Sequence, residues 1–255
     1  MFVANSPPKI VATILAKNEE DIIATTIEHH IKAGVSQFIV TDNASTDRTR
    51  SIVEKYPEVV EIIDEKGNDH SQSKWVTRMA RLACKLKPDW IIHLDADELW
   101  GGLNHLRYWP EKHVSCCKMY MHPPVQDSFD LMAMKHYLDF STVPIIDEAK
   151  IAHRPDPQIT IEHGNHAIAG VYDVNFTTSI YRHHYPIRSY SQFESKGVNG
   201  DMALRRRGAI CERWTMWSDA YRDGKLRAIW DDLLDAWKCM RERPNHDDLL
   251  RMLQY

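Results

Sequence analysis

The sequence predicts an α/β fold with a mainly parallel central sheet, flanked by helices and followed by a helical C-terminal extension. Through the first hundred residues, short β-branched runs alternate with apolar residues at helical spacing. This order favours parallel strands joined by right-handed crossovers. The run at 90–94 is apolar apart from one histidine, as a buried central strand is. After residue 212, leucine and tryptophan recur at helical spacing, which indicates an amphipathic helical tail.

Each strand of the first half is predicted from a β-branched or apolar run, and each helix from an apolar stripe. Isoleucines at 23, 27 and 31 form the first stripe, which Gly34 ends. In the third helix, Trp75 and Met79 lie on one stripe while Arg78 lies elsewhere. The predicted strands are residues 10–15, 37–41, 59–64 and 90–95, and the helices begin after residue 21, near residue 49 and at about residue 71.

Polar clusters stand at the ends of three predicted strands. In a parallel sheet the carboxyl ends of the strands meet at one edge, where such folds bind ligands, so we expect the clusters to converge. The sequence contains no glycine-rich dinucleotide fingerprint and no P-loop, so bound phosphates would be held by a metal ion and by side chains. The three clusters are residues 17–20, 42–47 and 95–98.

The acidic cluster at Asp95, Asp97 and Glu98 presents an electrostatic problem. Strand alternation sends Asp95 and Asp97 to the same side, and crowded carboxylates repel each other unless a cation or a proton lies between them. A hard divalent ion such as Mg(II) or Mn(II) suits these oxygen ligands. Taken alone, the tripeptide Asp-Ala-Asp favours a solvated turn at a strand end, and the two upstream clusters favour the metal site.

Composition argues against several classes of protein. At 255 residues, the chain is long enough for one α/β domain or two small ones. A formal net charge of -4 does not indicate nucleic acid or an anionic membrane as a partner. No apolar run is long enough to span a bilayer and residues 1–9 lack a signal pattern, so we expect no transmembrane segment and a cytoplasmic location. Five cysteines without a C-x-x-C pair argue against a disulfide framework or a zinc knuckle.

Beyond residue 100 the sequence is less periodic and richer in aromatic residues and histidine. Strands are predicted at 114–121 and 159–163, and the spacing of Ser189 and Gln192 is that of a capping box at a helix start. The tail stripe is either core or a dimer contact, so a homodimer through the tryptophan-rich helices is a candidate assembly. The members of this stripe are Leu226, Trp230, Leu233 and Trp237.

Three motifs, in this order and spacing, resemble the nucleotide-sugar-binding half of glycosyltransferase family 2 enzymes. They are Val-Ala-Thr-Ile-Leu-Ala-Lys-Asn-Glu-Glu at 11–20, Thr-Asp-Asn-Ala-Ser-Thr-Asp at 41–47 and Leu-Asp-Ala-Asp-Glu at 94–98. The resemblance covers residues 9–100 and implies the GT-A fold, with its Rossmann-like, mainly parallel sheet. Later segments also resemble family 92 enzymes, namely 150–155 with 164–166, and 184–189 with Phe193 and Lys196.

The resemblance sets the expected domains. A GT-A domain would cover residues 1–189, with 1–100 as the nucleotide-sugar-binding half and 101–189 as the half that completes the acceptor and metal sites. A helical extension over 190–255 would pack on it.

The resemblance implies a nucleotide-sugar site at the strand ends. Asp42 would hydrogen-bond the nucleobase, and the backbone of residues 16–18 would line the base and ribose pocket. The family commonly has a second acid where this chain has Asn43, and it places an arginine near the nucleotide about where Arg78 stands, although the usual Asn after it is Met79 here. The implied nucleotide-sugar-binding residues are Ala16, Lys17, Asn18, Asp42, Asn43, Arg78, Asp95 and Ala96.

The resemblance also implies a divalent metal cofactor, Mn(II) or Mg(II), that bridges the donor diphosphate. Asp97 would bind the ion directly, and Asp95 would reach it through ribose or water. GT-A enzymes often add a histidine from the C-terminal half. His184 is the first candidate and His166 the second, because each ends a strand-like run, and His183 is the register alternative.

Family 2 enzymes invert the anomeric centre, which requires a carboxylate base to deprotonate the acceptor hydroxyl. Glu98, Glu162 and Asp127 are the candidates, and Glu162 is preferred because it precedes a Gly-Asn-His turn. The implied activity is metal-dependent transfer of a hexose from a uridine-linked nucleotide diphosphate sugar to a hydroxyl acceptor, a glycan or glycoconjugate, as in polysaccharide biosynthesis. Two alternatives stay open: a sugar-nucleotide pyrophosphorylase, which should carry a basic glycine-rich loop, and a non-catalytic nucleotide-sugar-binding module.

Overall fold

The chain forms two compact units. The computed structural model describes residues 6–66, 71–122, 124, 126–127, 138–139, 149–172, 175–206, 208 and 210–242. The first unit comprises residues 1–119 and 140–184, and the second comprises residues 120–139 and 185–255. Within the described part of the chain, every helix is too short or too polar to cross a bilayer.

The first unit contains the predicted parallel sheet. Its parallel strands lie in the order β3-β2-β1-β4, so the chain crosses over between neighbours as an α/β fold requires. Ala16 lies beside Asp42, and Leu15 lies beside Asp95, so three strands end level with one another. The four strands are β1 (Ile10–Ala16), β2 (Val35–Asp42), β3 (Val59–Asp64) and β4 (Trp90–Asp95).

Helices cover both faces of this sheet. On one face, Ile23 and Ile27 of α1 pack with the buried side chain of Ile14. On the other face, Met79 packs with Ile91. The stripes predicted from the sequence are therefore confirmed, and α1 ends before Gly34, which has φ of 102° in the left-handed region that favours glycine. The helices are α1 (Ile23–Lys32), α2 (Thr49–Val53) and α3 (Gln72–Cys84).

Beyond β4, the sheet continues with antiparallel pairs. β8 pairs antiparallel with both β4 and β6, and β9 pairs antiparallel with β5. Eight strands follow one another in the order β3-β2-β1-β4-β8-β6-β9-β5 among the described residues. The added strands are β5 (Glu98–Gly101), β6 (His113–Met121), β8 (Lys150–His153) and β9 (Phe176–His184).

The strand predicted at 159–163 is wrong. Ile159 and Ile161 are buried against α3, as their alternation predicted, but the pairing with another segment is limited to an isolated antiparallel bridge between Ile161 and Ile168. Arg81 donates to the carbonyl of Ile159, and the hydroxyl of Thr77 bonds both backbone groups of Ile161. The chain then makes a 3-10 turn over His163–Asn165. Side chains of α3 thus bond backbone groups that a longer strand would pair with a neighbour.

The second unit is mainly helical. Its helix start at Ser189 is confirmed, because the Ser189 hydroxyl accepts a hydrogen bond from the backbone N–H of Gln192 at 3.2 Å. Trp230 is fully buried against Phe193 and Tyr190, so this part of the tail stripe is core, and the homodimer stays a prediction. The elements are α4 (Tyr190–Arg206), α5 (Glu212–Arg222), α6 (Leu226–Glu242) and the short strand β7 (Leu138–Asp139), which pairs with the end of β6.

Candidate functional site

The loops that follow β1 and β2 are bonded to each other. The backbone N–H of Asn18 donates to the Ser45 hydroxyl at 3.0 Å, and the Asn18 side-chain oxygen accepts from the N–H of Thr46 at 2.7 Å. The backbone N–H of Asn43 donates to the carbonyl of Ala16 at 2.9 Å. Two of the predicted polar clusters therefore converge, as the parallel topology required.

At the end of β2, buried oxygen atoms lack hydrogen-bond partners among the described residues. They are the Thr41 hydroxyl, one carboxylate oxygen of Asp42 and the Asn43 side-chain oxygen. The second carboxylate oxygen of Asp42 accepts a long bond from the N–H of Ser45, at 3.3 Å. A buried acceptor without a partner costs about 1–3 kcal/mol. A ligand that presents N–H donors here would recover that free energy.

Arg78 presents a similar feature on the neighbouring helix. One terminal nitrogen forms an ion pair with Glu65 at 2.5 Å. Its Nε and second terminal nitrogen are buried and have no hydrogen-bond partner within the described part of the chain. Two donor atoms of the guanidinium are thus available to a ligand oxygen, and the contact of Arg78 with a nucleotide stays a prediction.

Asp95 is held by two protein donors. Lys150 Nζ donates to one carboxylate oxygen at 2.6 Å, and the Asn165 amide nitrogen donates to the other at 3.1 Å. Lys150 Nζ also donates to the carbonyl of Gly164 at 2.7 Å. The next residue is engaged as well, because the Ala96 carbonyl accepts from the hydroxyl of Thr26 at 2.6 Å.

Glu98 is buried among cations. Arg182 Nε lies 3.1 Å and Lys150 Nζ 3.8 Å from one carboxylate oxygen, and the indole N–H of Trp100 donates to the other at 3.1 Å. Burial raises the pKa of Glu98, but Lys150 and Arg182 outweigh it and hold the pKa below its ordinary value. This environment suits a permanent anion. It does not suit a base that must reach an acceptor hydroxyl.

The pairing of β5 with β9 brings Asp97 and His184 together. Glu98 is the register partner of His184, and His184 Nε2 lies 3.5 Å from a carboxylate oxygen of Asp97. Asp97 is buried, and the His184 Nδ1 atom is buried without a hydrogen-bond partner. His183 makes an edge contact with the ring of Tyr181 instead. Of the two register alternatives, His184 is therefore the one beside Asp97.

His166 has a bond of its own. Its Nδ1 donates to the carbonyl of Ala149 at 2.9 Å, and its ring lies so close to Gly164 that a side chain at that glycine would clash with it. From the sequence, His166 is the second candidate for the histidine that binds the metal ion. The contact with Ala149 fixes the ring beside the start of β8, and the role of His166 as a metal ligand stays a prediction.

Asp97 and His184 fit a divalent ion as two of its ligands. One carboxylate oxygen and one imidazole nitrogen are an acceptable donor pair for Mn(II). Among the described residues, no group of three or more His, Cys, Asp or Glu side chains is arranged to hold a metal ion. An ion bound to this pair would therefore take its remaining ligands from a phosphate group and water.

The other two base candidates lie in different surroundings. Glu162 is exposed, and its backbone N–H bonds to the carbonyl of Ala167. Asp127 belongs to the second unit, where Arg227 forms an ion pair with it at 2.7 Å and the indole of Trp230 donates to it at 2.6 Å. The hydrogen bond from Arg227 lowers the pKa of Asp127.

The sequence analysis missed Lys150, Arg182 and Asn165 as site residues. Lys150 opens the apolar strand β8, and Arg182 lies within the strand β9. A basic residue in a strand is expensive to bury unless an acid compensates it. Basic residues within strands, together with the three acidic residues at 95–98, were the sequence signal that could have identified Lys150 and Arg182.

Comparison with known proteins now identifies the family. A sequence model of the family described as Glycosyl transferase family 2 matches residues 12–168, more than half of the chain. The chain belongs to glycosyl transferase family 2. This membership confirms the family and the GT-A fold that the sequence predicted. The resemblance of the later segments to family 92 stays a prediction.

Solved structures resemble this family 2 member at low sequence identity, and the chain spans less than two thirds of the length of the two described here. TarS 1-349 from S. aureus has a TM-score of 0.45 and 15% identity, with 75% of this chain and 65% of that chain covered. Glucosyl-3-phosphoglycerate synthase from Mycobacterium tuberculosis, in complex with Mn2+, UDP and glucosyl-3-phosphoglycerate, has a TM-score of 0.34 and 18% identity. That match covers 45% of this chain and 44% of that chain. No curated protein matches the chain.

Proposed function

We propose that the protein is a metal-dependent, inverting glycosyltransferase that moves a sugar from a UDP-sugar to a hydroxyl group of a glycan or glycoconjugate. Family membership supplies the reaction class. Two features at the ends of the sheet strands support a UDP-sugar donor and a metal ion. One is the buried oxygen of Asp42, which has no hydrogen-bond partner among the described residues, and the other is the carboxylate–imidazole pair of Asp97 and His184.

The buried oxygens near Asp42 fit a nucleobase that carries a ring N–H donor, such as uracil. Uracil carries a ring N–H donor, and the unpartnered oxygen of Asp42 is a buried acceptor that such a donor would satisfy. Arg78 offers two buried N–H groups for oxygen atoms of the same nucleotide.

The metal side favours a diphosphate. Asp97 and His184 would hold Mn(II) or Mg(II), and the bound ion would neutralise the charge that develops on the departing nucleoside diphosphate. The remaining coordination positions would belong to phosphate oxygens and water.

Sugar transfer needs a catalytic base that can reach the hydroxyl group of the bound acceptor. Glu162 is the best candidate of the three, because it is exposed and lies in the loop that leads to Asn165, the partner of Asp95. Glu98 is enclosed by cations, and Asp127 is engaged by Arg227 and Trp230. Both of these arrangements suit structural carboxylates.

The proposal is tested by thermal unfolding with UDP and Mn(II). At a ligand concentration of about 100 times Kd, binding stabilises the folded state by about 2.7 kcal/mol, so the melting temperature should rise by several degrees. Asp97→Ala should abolish the part of the gain that depends on Mn(II). Glu61→Gln, an exposed acid on β3, is the matched control and should keep the whole gain.

Two outcomes would contradict the proposal. One is an unchanged melting temperature in a panel of nucleoside diphosphates with Mn(II). The other is a full Mn(II)-dependent gain in Asp97→Ala. Slow hydrolysis of the donor sugar without an acceptor would separate an enzyme from a module that only binds nucleotide sugars.

A further inference from the structure

Lys150 places a buried ammonium group at the centre of the acidic cluster. Its side chain is 4% exposed, and lysine is almost never fully buried unless it is paired. The ammonium makes two short bonds, to Asp95 at 2.6 Å and to the carbonyl of Gly164 at 2.7 Å, and it lies 3.8 Å from Glu98. β8 thus delivers a cation to the point where β4 ends.

These contacts occupy Asp95. Lys150 binds one carboxylate oxygen and Asn165 binds the other. Each donor uses one lone pair of its oxygen, and a divalent ion on a remaining lone pair would lie close to the positive charge of Lys150 in a partly buried environment, where repulsion is strong. Asp95 is therefore a poor direct ligand while Lys150 is in place.

The cations also limit the charge that a metal ion would meet. Two buried cations, Lys150 and Arg182, form ion pairs with Asp95 and Glu98, so they reduce the negative charge near the end of β4. Two protein ligands beside these cations form a weak site for a divalent ion, and a diphosphate would add both oxygen ligands and negative charge.

We propose that Lys150 is a positioning residue that, with Asn165, keeps Asp95 out of metal coordination and leaves Asp97 and His184 as the protein ligands, so that the divalent ion binds together with the nucleoside diphosphate and not before it. This inference rests on the proposed metal-dependent function. It assigns to Lys150 a role in the order of binding, beyond its contribution to folding.

The test is Mn(II) binding, measured from the electron paramagnetic resonance signal of free Mn(II), which does not depend on turnover. The wild-type protein should bind Mn(II) tightly only when UDP is present. Lys150→Met keeps most of the length of the side chain and removes its charge, so the ion pair with Asp95 is lost. The free variant should bind Mn(II) at least about tenfold more tightly than the free wild-type protein, and Lys150→Met with Asp95→Asn should lose this gain. Lys112→Met, at an exposed lysine, should behave as wild type.

A second comparison keeps Lys150 and so does not depend on whether Lys150→Met folds. In the presence of UDP, Asp95→Asn should change the Mn(II) affinity by less than about threefold, while Asp97→Asn should lower it by about tenfold or more, because only Asp97 is a direct ligand. A loss in Asp95→Asn equal to that in Asp97→Asn would overturn the inference. So would a folded Lys150→Met whose Mn(II) affinity without nucleotide is unchanged.

Failure of the inference is distinct from failure of the proposed function. If the wild-type protein does not bind Mn(II) with UDP at all, the metal-dependent function is wrong. If it binds Mn(II) with UDP, but binds it equally well without UDP, only the role of Lys150 in the binding order is wrong.

Discussion

At the end of β2, a carboxylate has been buried without the partner that burial usually demands. Asp42 is 7% exposed, and one of its oxygens accepts no hydrogen bond. Side chains arranged for folding alone rarely keep such an atom, because it costs free energy. The nearby Asp47 illustrates the usual case, since its two oxygens accept from the backbone N–H groups of Glu20 and Thr49.

The two aspartates should therefore respond in opposite ways to replacement by asparagine. Asp42→Asn should weaken UDP binding by about tenfold or more, since a charged acceptor is lost, and should leave the stability of the free protein unchanged or higher. Asp47→Asn should lower that stability by about 1 kcal/mol with UDP affinity nearly unchanged. Isothermal titration with UDP and unfolding in urea measure the two effects. A drop in stability for Asp42→Asn without a loss of UDP affinity would contradict the assignment.

At the level of elements, the site depends on how β5 pairs with β9. This pairing sets Glu98 opposite His184 and so brings Asp97 and His184 together. Immediately after β5, Gly102 has φ of 75°, and a Cβ atom there would collide with the backbone carbonyl of Ser179 in β9. Gly170 has φ of 78°, but nothing lies near the position of its Cβ. The two glycines share a backbone conformation and differ in their surroundings.

Gly102→Ala should therefore be more damaging than Gly170→Ala. The left-handed backbone conformation alone costs an alanine about 1–2 kcal/mol. We expect Gly170→Ala to lower the free energy of unfolding, measured in urea, by this amount. Gly102→Ala should lower the free energy of unfolding by more than Gly170→Ala does, because β9 must move. The stabilisation of the folded protein by UDP with Mn(II) should also decrease in Gly102→Ala. Equal decreases in the free energy of unfolding in the two variants would mean that the close approach of Gly102 to β9 does not affect stability.

For the molecule as a whole, several buried histidines are held neutral. His153 Nδ1 donates to the carbonyl of Arg154, so its Nε2 must accept from His93 Nε2, and His93 Nδ1 accepts from the Thr13 hydroxyl. His30 likewise donates to a carbonyl through Nδ1 and accepts the backbone N–H of Trp100 through Nε2. Each ring therefore has one acceptor nitrogen in use, and protonation of that nitrogen would break the bond.

Acid should consequently destabilise the protein well above the pH at which carboxylates are protonated. Burial lowers the pKa of His30 to about 3 and of His153 to about 4, from 6.5. These pKa values are depressed in the folded state, so the unfolded chain binds protons first, and stability falls as pH drops below about 6.5. Each such histidine contributes a loss of roughly 1.4 kcal/mol per pH unit.

Urea unfolding between about pH 7 and pH 5 isolates this effect from ordinary carboxylate titration. His30→Gln should make the dependence on pH shallower, because one titrating group is removed. His105→Gln, at an exposed histidine, should leave it unchanged. A free energy of unfolding that is constant over this range would show that these histidines are not neutral in the folded protein.

Local patterns in the sequence determined the first half of the fold and the part of the candidate site that would bind the nucleobase. Strands, stripes and turns in residues 10–95 are encoded by neighbouring residues, so β1 to β4 and α1 to α3 could be predicted within a few positions. The convergence of the loops at Asn18 and Asp42 followed from parallel topology alone.

Only the tertiary structure decided the antiparallel half and the electrostatics around Asp95. Lys150 lies 55 positions from Asp95 in the chain, and Arg182 meets Glu98 only because β9 pairs with β5. A lysine at the start of a strand has the same local pattern whether it is solvated or buried against an acid. Ion pairs between distant segments depend on which strands become neighbours, and that choice is made by the packing of the whole unit.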